Sequence, residues 1–500
     1  MTMRRIDLPP HSFWVRSAGE GTPVVLLHGL AGSSRWWDRN IDSLAREHAV
    51  HAIELVGFGR SGHFAGSALP LSFEEAASLL ARWLRTEIGA PVHLVGHSMG
   101  GHIAIELAAR APDVVRSLTL VGSTGIPFTV ATAERVAVLM RRPPPGLVTF
   151  APRLTADALR AGPAALGLGS VHTLLGDARD AMARVHAPAL LVWGDSDPLV
   201  PLRYAERMRD TIPRAELHVI ERAGHIPMWD RPEKFNALLR DFLERVEAEP
   251  ERTPLRSDHF SWAIADCAGG ICWRTSGPAP RVVLVHGLGI GSRYFRRLAA
   301  ALHARGIHAA APDLPGIAFS APHPSRAYDP AALAERLVQW KRDAGIGRAV
   351  WVGHSTGCQI VDHVARAAPG EVAAAIHVGP IWTERPLPWV RLPALLARDA
   401  LHEPWSLIAE AVRAYWESGL LVIFRHTAGS CRDLGSVPSG GLAVAGDRDP
   451  LVDRDRIAEI AMPFRRIEGG HGAVWSHPEQ VAAIIAEMKG KRNRAADYAD

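Results

Sequence analysis

The stretch "HLVGHSMGGHIAIELAAR" (93–110) sets a serine between an apolar run and a helical one, and "VGHSTG" (352–357) repeats its centre ahead of "CQIVDHVARAA". An apolar strand that ends in Gly-x-Ser-x-Gly and passes directly into a helix makes a sharp turn with the serine at its tip. Gly96 and Gly100, like Gly353 and Gly357, allow strand and helix to close up where a side chain would intervene. Ser98 and Ser355 then face the positive end of the following helix, where developing negative charge is favoured. Five residues alone carry little weight, because a purely structural turn reads the same way. The surroundings decide.

Those surroundings recur. "FWVRSAGEGTPVVLLHGLAGSSRWW" (13–37) lies beside "CWRTSGPAPRVVLVHGLGIGSRYF" (272–295), "ALLVWGDSDPLVP" (189–201) beside "GLAVAGDRDPLVD" (441–453), and "ERAGHIPMWDRPEKF" (221–235) beside "IEGGHGAVWSHPEQV" (467–481). The landmarks keep one order and each reappears about 250 residues on, far beyond any solenoid period. This is a duplicated domain, as the length also suggests. The charged, proline-containing "RVEAEPERTPLRSDH" (245–259) marks the junction. The expected organisation is a first domain over 1–250, a linker over 251–260, a second domain over 261–488 and a polar tail over 489–500. Within the first half, "PVVLLHG", "AVHAIEL", "PVHLVG", "VRSLTLVG", "PALLVWG" and "ELHVIE" read as buried strands, while 73–89 and 233–247 carry helical periodicity. Alternating elements of this kind build an α/β fold with a mostly parallel sheet and helices on both faces.

Composition narrows the function. Apolar residues make up 47% and charged residues 22%, with a formal charge of +4. The basic run "KGKRNR" (489–494) reads as a solvated tail rather than a nucleic-acid patch. No run approaches the length of a membrane span, and no apolar segment follows the arginines of "MTMRRIDLPPHSFW", so neither a membrane anchor nor a signal peptide is expected. Cys267, Cys272, Cys358 and Cys431 lack metal-site spacing and are too few for a disulfide scaffold, so reduced thiols and a cytoplasmic setting are expected. No metal constellation or phosphate-binding glycine loop is present, so neither metal nor cofactor is expected. The oligomeric state stays open.

A serine hydroxyl needs a base to take its proton and an acid to orient that base. "WGDSD" and "GHIPMW" offer Asp197 and His225 after successive strands; "AGDRD" and "GGHGAVW" offer Asp449 and His471. Asp195 and Asp447, nearer the strands, are read as turn-shaping residues. Backbone N–H groups of Met99 and Thr356, after each serine, and of Leu30 and Leu288, after each "HG", would receive an oxyanion. Aromatic residues beside these landmarks, Trp36, Trp37 and Trp229 in one half and Tyr294, Phe295 and Trp475 in the other, are candidates for a substrate pocket.

With "HG", elbow, "GDxD" and "GH" in this order, nearly all of both halves resembles the α/β-hydrolase superfamily of the serine-nucleophile type. The resemblance implies tandem α/β-hydrolase domains, with helical caps at about 127–185 and 380–437. Its Asp-x-x-Gly-x-Gly-x-Ser feature appears as "ELVGFGRS" (54–61), with Glu54 for the aspartate, and "DLPGIAFS" (313–320), with Ala318 for a glycine. Cys358 also stands where the first copy has Gly101. A serine in the elbow speaks against the dehalogenases and epoxide hydrolases of the superfamily. The implied activity is cofactor-independent hydrolysis of a small, largely apolar ester, thioester or lactone through acyl-enzymes. Acyl transfer or carbon–carbon hydrolysis would use the same triads, and a ligand-sensing second domain is a third reading that Ala318 and Cys358 suggest. The second cap carries Trp382, Trp389, Trp405, Tyr415, Trp416 and Phe424 and the first few aromatics, which suggests different substrates for the two sites.

Overall fold

The computed structural model describes residues 1–62, 70–127, 146–249, 260, 262–318, 320–323, 325, 327–381, 407, 418, 420–431 and 441–496. The chain divides into two compact units, Met1–His259 and Phe260–Asp500. In the first, strands β1 (Thr2–Leu8), β2 (His11–Ala18), β3 (Thr22–Leu27), β4 (His48–Glu54), β5 (Val92–His97), β6 (Val115–Val121), β7 (Ala189–Gly194) and β8 (Ala215–Ile220) form one sheet in the order β1-β2-β4-β3-β5-β6-β7-β8. The six strands read from the sequence pair in parallel, Val24 lying opposite Val50 and His93. The antiparallel β1–β2 hairpin at the edge was not foreseen; its alternating burial leaves one face polar, a weaker signal than a doubly buried strand.

Helices cover both faces because each has one apolar stripe to bury. Helices α1 (Phe73–Trp83) and α2 (Met99–Arg110) pack on one side with Leu79, Leu80, Ile103 and Leu107. Helix α5 (Pro232–Ala248) covers the other with Phe235, Leu239 and Leu243, against Trp37 and Ile41. Ser72 and Glu75 cap α1 reciprocally, and the helical run expected over 73–89 continues as a wider turn, Leu84–Ile88, closed by Gly89 at φ 70°. Between β6 and β7 runs α3 (Leu147–Leu175), broken at Gly162, where φ is 76° ahead of Pro163. α4 (Leu202–Thr211) connects β7 to β8.

The second unit repeats this plan with β9 (Ala263–Ala268), β10 (Ile271–Thr275), β11 (Val282–Val285), β12 (Ala309–Pro312), β13 (Ala349–His354), β14 (Val372–Val378), β15 (Leu442–Gly446) and β16 (Phe464–Ile467), ordered β16-β15-β14-β13-β11-β12-β10-β9. Its helices are α6 (Arg296–His303), α7 (Pro330–Asp343), α8 (Gly357–Ala367), α9 (Leu420–Cys431) and α10 (Pro478–Ala496).

One expectation is corrected here, and one segment is specified further. Cys267 and Cys272 are joined in a disulfide rather than reduced, because the tight β9–β10 hairpin sets them directly opposite each other, Cα atoms 3.9 Å apart. The backbone over 489–496 is helical, extending α10 past the expected start of the tail; lysine and arginine are good helix formers. Residues 251–259, the "RRPPP" of the first cap and all the second cap's aromatics except Phe424 lie outside the described residues. Phe424 itself is 57% exposed on α9.

Candidate active site

Ser98 follows β5 and Ser355 follows β13, with φ of 52° and 55°. For a residue with a Cβ this is a strained conformation, held only where the surroundings impose it. The glycines around each serine supply that imposition. A Cβ on Gly96 would lie 2.5 Å from the Gly100 carbonyl oxygen, and one on Gly100 would lie 2.5 Å from that of His28. One on Gly353 would lie 2.6 Å from the Gly357 carbonyl oxygen. Strand, helix and the preceding "HG" loop therefore meet at backbone distance, and the serine hydroxyl is driven outward.

In the first domain, Ser98 Oγ is 3.0 Å from His225 Nε2, and His225 Nδ1 is 2.9 Å from Asp197 Oδ2. The other oxygen of Asp197 accepts from Leu199 and Val200 N–H, both at 2.9 Å, which fixes the carboxylate plane. In the second domain, Ser355 Oγ is 2.9 Å from His471 Nε2, His471 Nδ1 is 2.9 Å from Asp449 Oδ2, and Leu451 N–H donates to Asp449. Burial pushes the Asp449 carboxyl up, but the charge and hydrogen bond of His471 outweigh it and hold it below its ordinary value. Asp195 instead accepts from the Ser196 hydroxyl and Asp447 from Gly469 N–H. Both shape the turns.

The "HG" loops press against the serines: a Cβ on Gly29 would lie 3.1 Å from Ser98 Cβ, and one on Gly287 would lie 2.7 Å from Ser355 Cβ. Leu30 and Leu288 are the next residues along these loops. Met99 opens α2 and Thr356 precedes α8, so their N–H groups are among the helix-terminal donors that have no intrahelical acceptor.

Four histidines that sequence reading passed over hold this ground. His28 Nδ1–H donates to the Gly29 carbonyl at 2.7 Å while its Nε2 accepts from Leu55 N–H at 3.1 Å. His286 repeats this with Gly287 and Leu314 at 2.9 and 3.0 Å. Burial lowers both pKa values, that of His286 to about 4, so each ring stays neutral with one donor and one acceptor. At the elbows, Nε2–H of His97 donates to the His225 carbonyl and that of His354 to the His471 carbonyl, each at 2.9 Å. Burial first, then the neighbouring imidazole, lowers these two rings as well, that of His354 to about 3. The signal was available: each occupies the same position in both repeats.

The departures of the second domain come in compensating pairs. Gly59 has φ 56° and a Cβ there would lie 2.5 Å from Glu54 Oε2. Glu54 fills that space to accept from Ser34 Oγ at 2.7 Å and Arg60 N–H at 2.6 Å. In the second domain the shorter Asp313 accepts from Ser292 N–H at 2.6 Å, and the missing methylene leaves room for Ala318 at φ 46°. A Cβ on Gly101 would collide with Ser123 Oγ, while Cys358 occupies the equivalent place with its Sγ 3.3 Å from the Gly353 carbonyl. Neither change alters the serine–histidine–aspartate spacing.

An apolar recess opens beside each elbow. The first, lined by Phe58, Leu79, Met99, Ile103, Gly169 and His172 among others, extends back to α1. The second touches Leu288, Ile317, Thr356 and Ile360 and ends on Ile423, His426 and Ser430 of α9. None of the six aromatic pocket candidates lines either recess. Trp37 and Phe295 are fully buried core residues. Trp36 packs 4.8 Å from Phe150 and 5.7 Å from His97, and Trp229 packs 5.4 Å from Phe150. Tyr294 lies 5.0 Å from His354 and stacks on Trp475 at 5.8 Å. The turn after each "HG" loop spends its aromatics on joining sheet to helix, because large apolar rings there have core neighbours on every side.

Comparison with known proteins follows the duplication. A model described as "Alpha/beta hydrolase family" matches residues 24–238, and one described as "alpha/beta hydrolase fold" matches residues 280–405. A pimeloyl-[acyl-carrier protein] methyl ester esterase of Neisseria meningitidis serogroup A is 31% identical over 259 residues, covering 45% of this chain and 78% of its own. The dihydrolipoyllysine-residue acetyltransferase component of an acetoin cleaving system from Pseudomonas putida is 32% identical over 256 residues, covering 46% and 66%. Among solved structures, a thermophilic esterase from Thermogutta terrifontis aligns with TM-score 0.41 and 25% identity, over 49% of this chain and 99% of its own.

Proposed function

Given that the chain belongs to the α/β-hydrolase family, as an α/β-fold serine hydrolase with two such domains in tandem, we propose that both domains cleave carboxylic esters, thioesters or lactones through acyl-enzymes. The observation that carries this reading is the hydrogen-bonded chain from serine through histidine to aspartate, present in both domains with matching distances.

His225 or His471 takes the proton of Ser98 or Ser355 as its Oγ attacks the carbonyl carbon. The carbonyl oxygen gains charge against the N–H groups of Leu30 and Met99, or Leu288 and Thr356, and the helix N-terminus behind them. Asp197 or Asp449 steadies the imidazolium. The histidine then protonates the departing alcohol, thiol or ring oxygen, leaving the acyl group on the serine. Water enters, gives its proton to the same histidine and releases the acid, which returns the serine. No redox partner is needed for any step.

The apolar lining of the recess beside each "HG" loop supports its use for the acyl chain. In the first domain Gly169 leaves it open, since a Cβ there would lie 2.7 Å from Leu30 Cδ1; in the second, buried Ile423 fills the neighbouring space and His426 and Ser430 make its end polar. In this reading the first site takes longer apolar acyl groups than the second.

A fluorophosphonate probe tests the proposal. Two labels per chain are expected, one in Ser98→Ala and one in Ser355→Ala; labelling of neither serine overturns it. A chain labelled only at Ser98 instead supports the sensor reading of the second domain.

A further inference from the structure

Away from the elbow, on the far side of the first "HG" loop, an arginine-lined cleft of about 810 Å³ opens between β2, the turn after β4 and α3. Arg16, Arg35, Arg60 and Arg160 line it, with Trp14 as a flat wall. The nearby carboxylates are already committed. Asp157, fully buried, accepts from Ser33 Oγ at 2.6 Å, Arg35 at 2.6 Å, Trp36 Nε1 at 3.2 Å and Arg160 at 3.5 Å. Asp38 pairs with Arg16 and also with Arg153 at 3.4 Å. Glu54 is buried on Ser34 and the Arg60 backbone. Among the described residues, the four cleft arginines and Arg153 thus face three carboxylates. Among the described residues the Arg60 guanidinium has no carboxylate partner, and it lies 5.7 Å from the Trp14 ring.

This excess is anchored from beneath by a saturated buried aspartate. Asp157 holds Arg35 and Arg160 in place before any ligand arrives, which reduces the ordering cost of binding. Guanidinium forks match carboxylate and phosphate oxygens, and an indole wall beside them suits a flat apolar group. The second domain treats the equivalent ground differently. Its Arg274 is buried and donates to the Trp262 carbonyl at 3.2 Å, while Trp262 Nε1 donates to the Ser292 carbonyl at 3.0 Å. That domain covers the position with its own tryptophan.

We propose that the Arg16–Arg35–Arg60–Arg160 cleft of the first domain is a binding site for an organic anion, a carboxylate or phosphate monoester with a flat apolar portion. Its floor adjoins the oxyanion loop, because Glu54 and Asp157 lie close enough to His28 to act on its charge. The site is separate from the serine chemistry and does not depend on it.

Calorimetric titration of the full-length Ser98→Ala/Ser355→Ala chain, at low salt, tests this with inorganic phosphate, phenyl phosphate and benzoate. One saturable site is expected, with phenyl phosphate bound more tightly than phosphate. Arg60→Gln should weaken binding about tenfold, as one lost charge-assisted contact would. Arg160→Gln should weaken it too and serves if the first variant fails to fold. No saturable uptake of any of the three, or unaltered affinity in both variants, overturns the proposal.

Discussion

Ser98 and Ser355 occupy a backbone region that glycine would take at no cost, and the glycines next to them remove the collisions that would otherwise forbid the turn. We expect Ser98→Ala and Ser355→Ala each to abolish turnover of substrates specific to that domain, by up to roughly a million-fold in kcat, with unchanged melting. The pairing of Glu54 with Gly59 gives a second prediction at this scale. Gly59→Ala should destabilise the first domain by about 1–3 kcal/mol, since the new methyl meets Glu54 Oε2. Glu54→Asp should recover part of that loss, giving a favourable coupling in a double-mutant cycle measured by urea unfolding. Strict additivity would refute the compensation inferred from Asp313 and Ala318.

At the scale of the element, strand ends and helix starts carry the candidate serines, and α3 and α9 bound the recesses beside them. Helix α3 brings Gly169 against Leu30 of the first "HG" loop, and α9 brings Ile423 into the lining of the second recess. In a Ser355→Ala background, Gly169→Leu should lower kcat/KM for octanoyl esters about tenfold to a hundredfold and leave acetyl esters little changed. An equal fall for both chain lengths would place the acyl group elsewhere. The "HG" loops are held by neutral His28 and His286, which bridge two loops through one donor and one acceptor each. His286→Phe keeps the ring but loses both bonds. Its expected effect is a kcat decrease on second-domain esters of about tenfold or more, with KM little changed, because a displaced oxyanion loop binds the transition state less well.

Over the whole molecule, buried histidines set the acid limit. His93, His102, His286 and His426 have pKa values lowered to about 4 and His354 to about 3, chiefly by burial. Depressed values mean that the unfolded chain binds more protons between its ordinary histidine pKa and these folded values. Stability is therefore intact above about pH 6.5 and is lost as pH falls toward 4. Each such ring withdraws on the order of 3 kcal/mol across that window, and a few together exceed the usual net stability of a domain. Urea midpoints should fall steeply from pH 6.5 to 4.5. A flat profile would mean that these rings are protonated in the fold.

Much of this protein was legible along the chain. The duplication, the parallel strands from Thr22 to Ile220 and the sharp turns at Ser98 and Ser355 rest on local signals, such as runs of β-branched residues and glycines where backbones must touch. Each can be read within a short window because the physical demand is itself short-ranged. The edge hairpins, the Cys267–Cys272 pairing, the core positions of Trp36, Trp37 and Phe295, the bridging histidines and the arginine cleft were decided only in three dimensions. For the hairpins and the disulfide the two sides are neighbours in the chain, and only the strand register sets them opposite each other; for the rest the outcome depends on which distant segment comes to lie alongside. An aromatic ring or an arginine carries the same letter whether it meets a helix, a substrate or a buried aspartate.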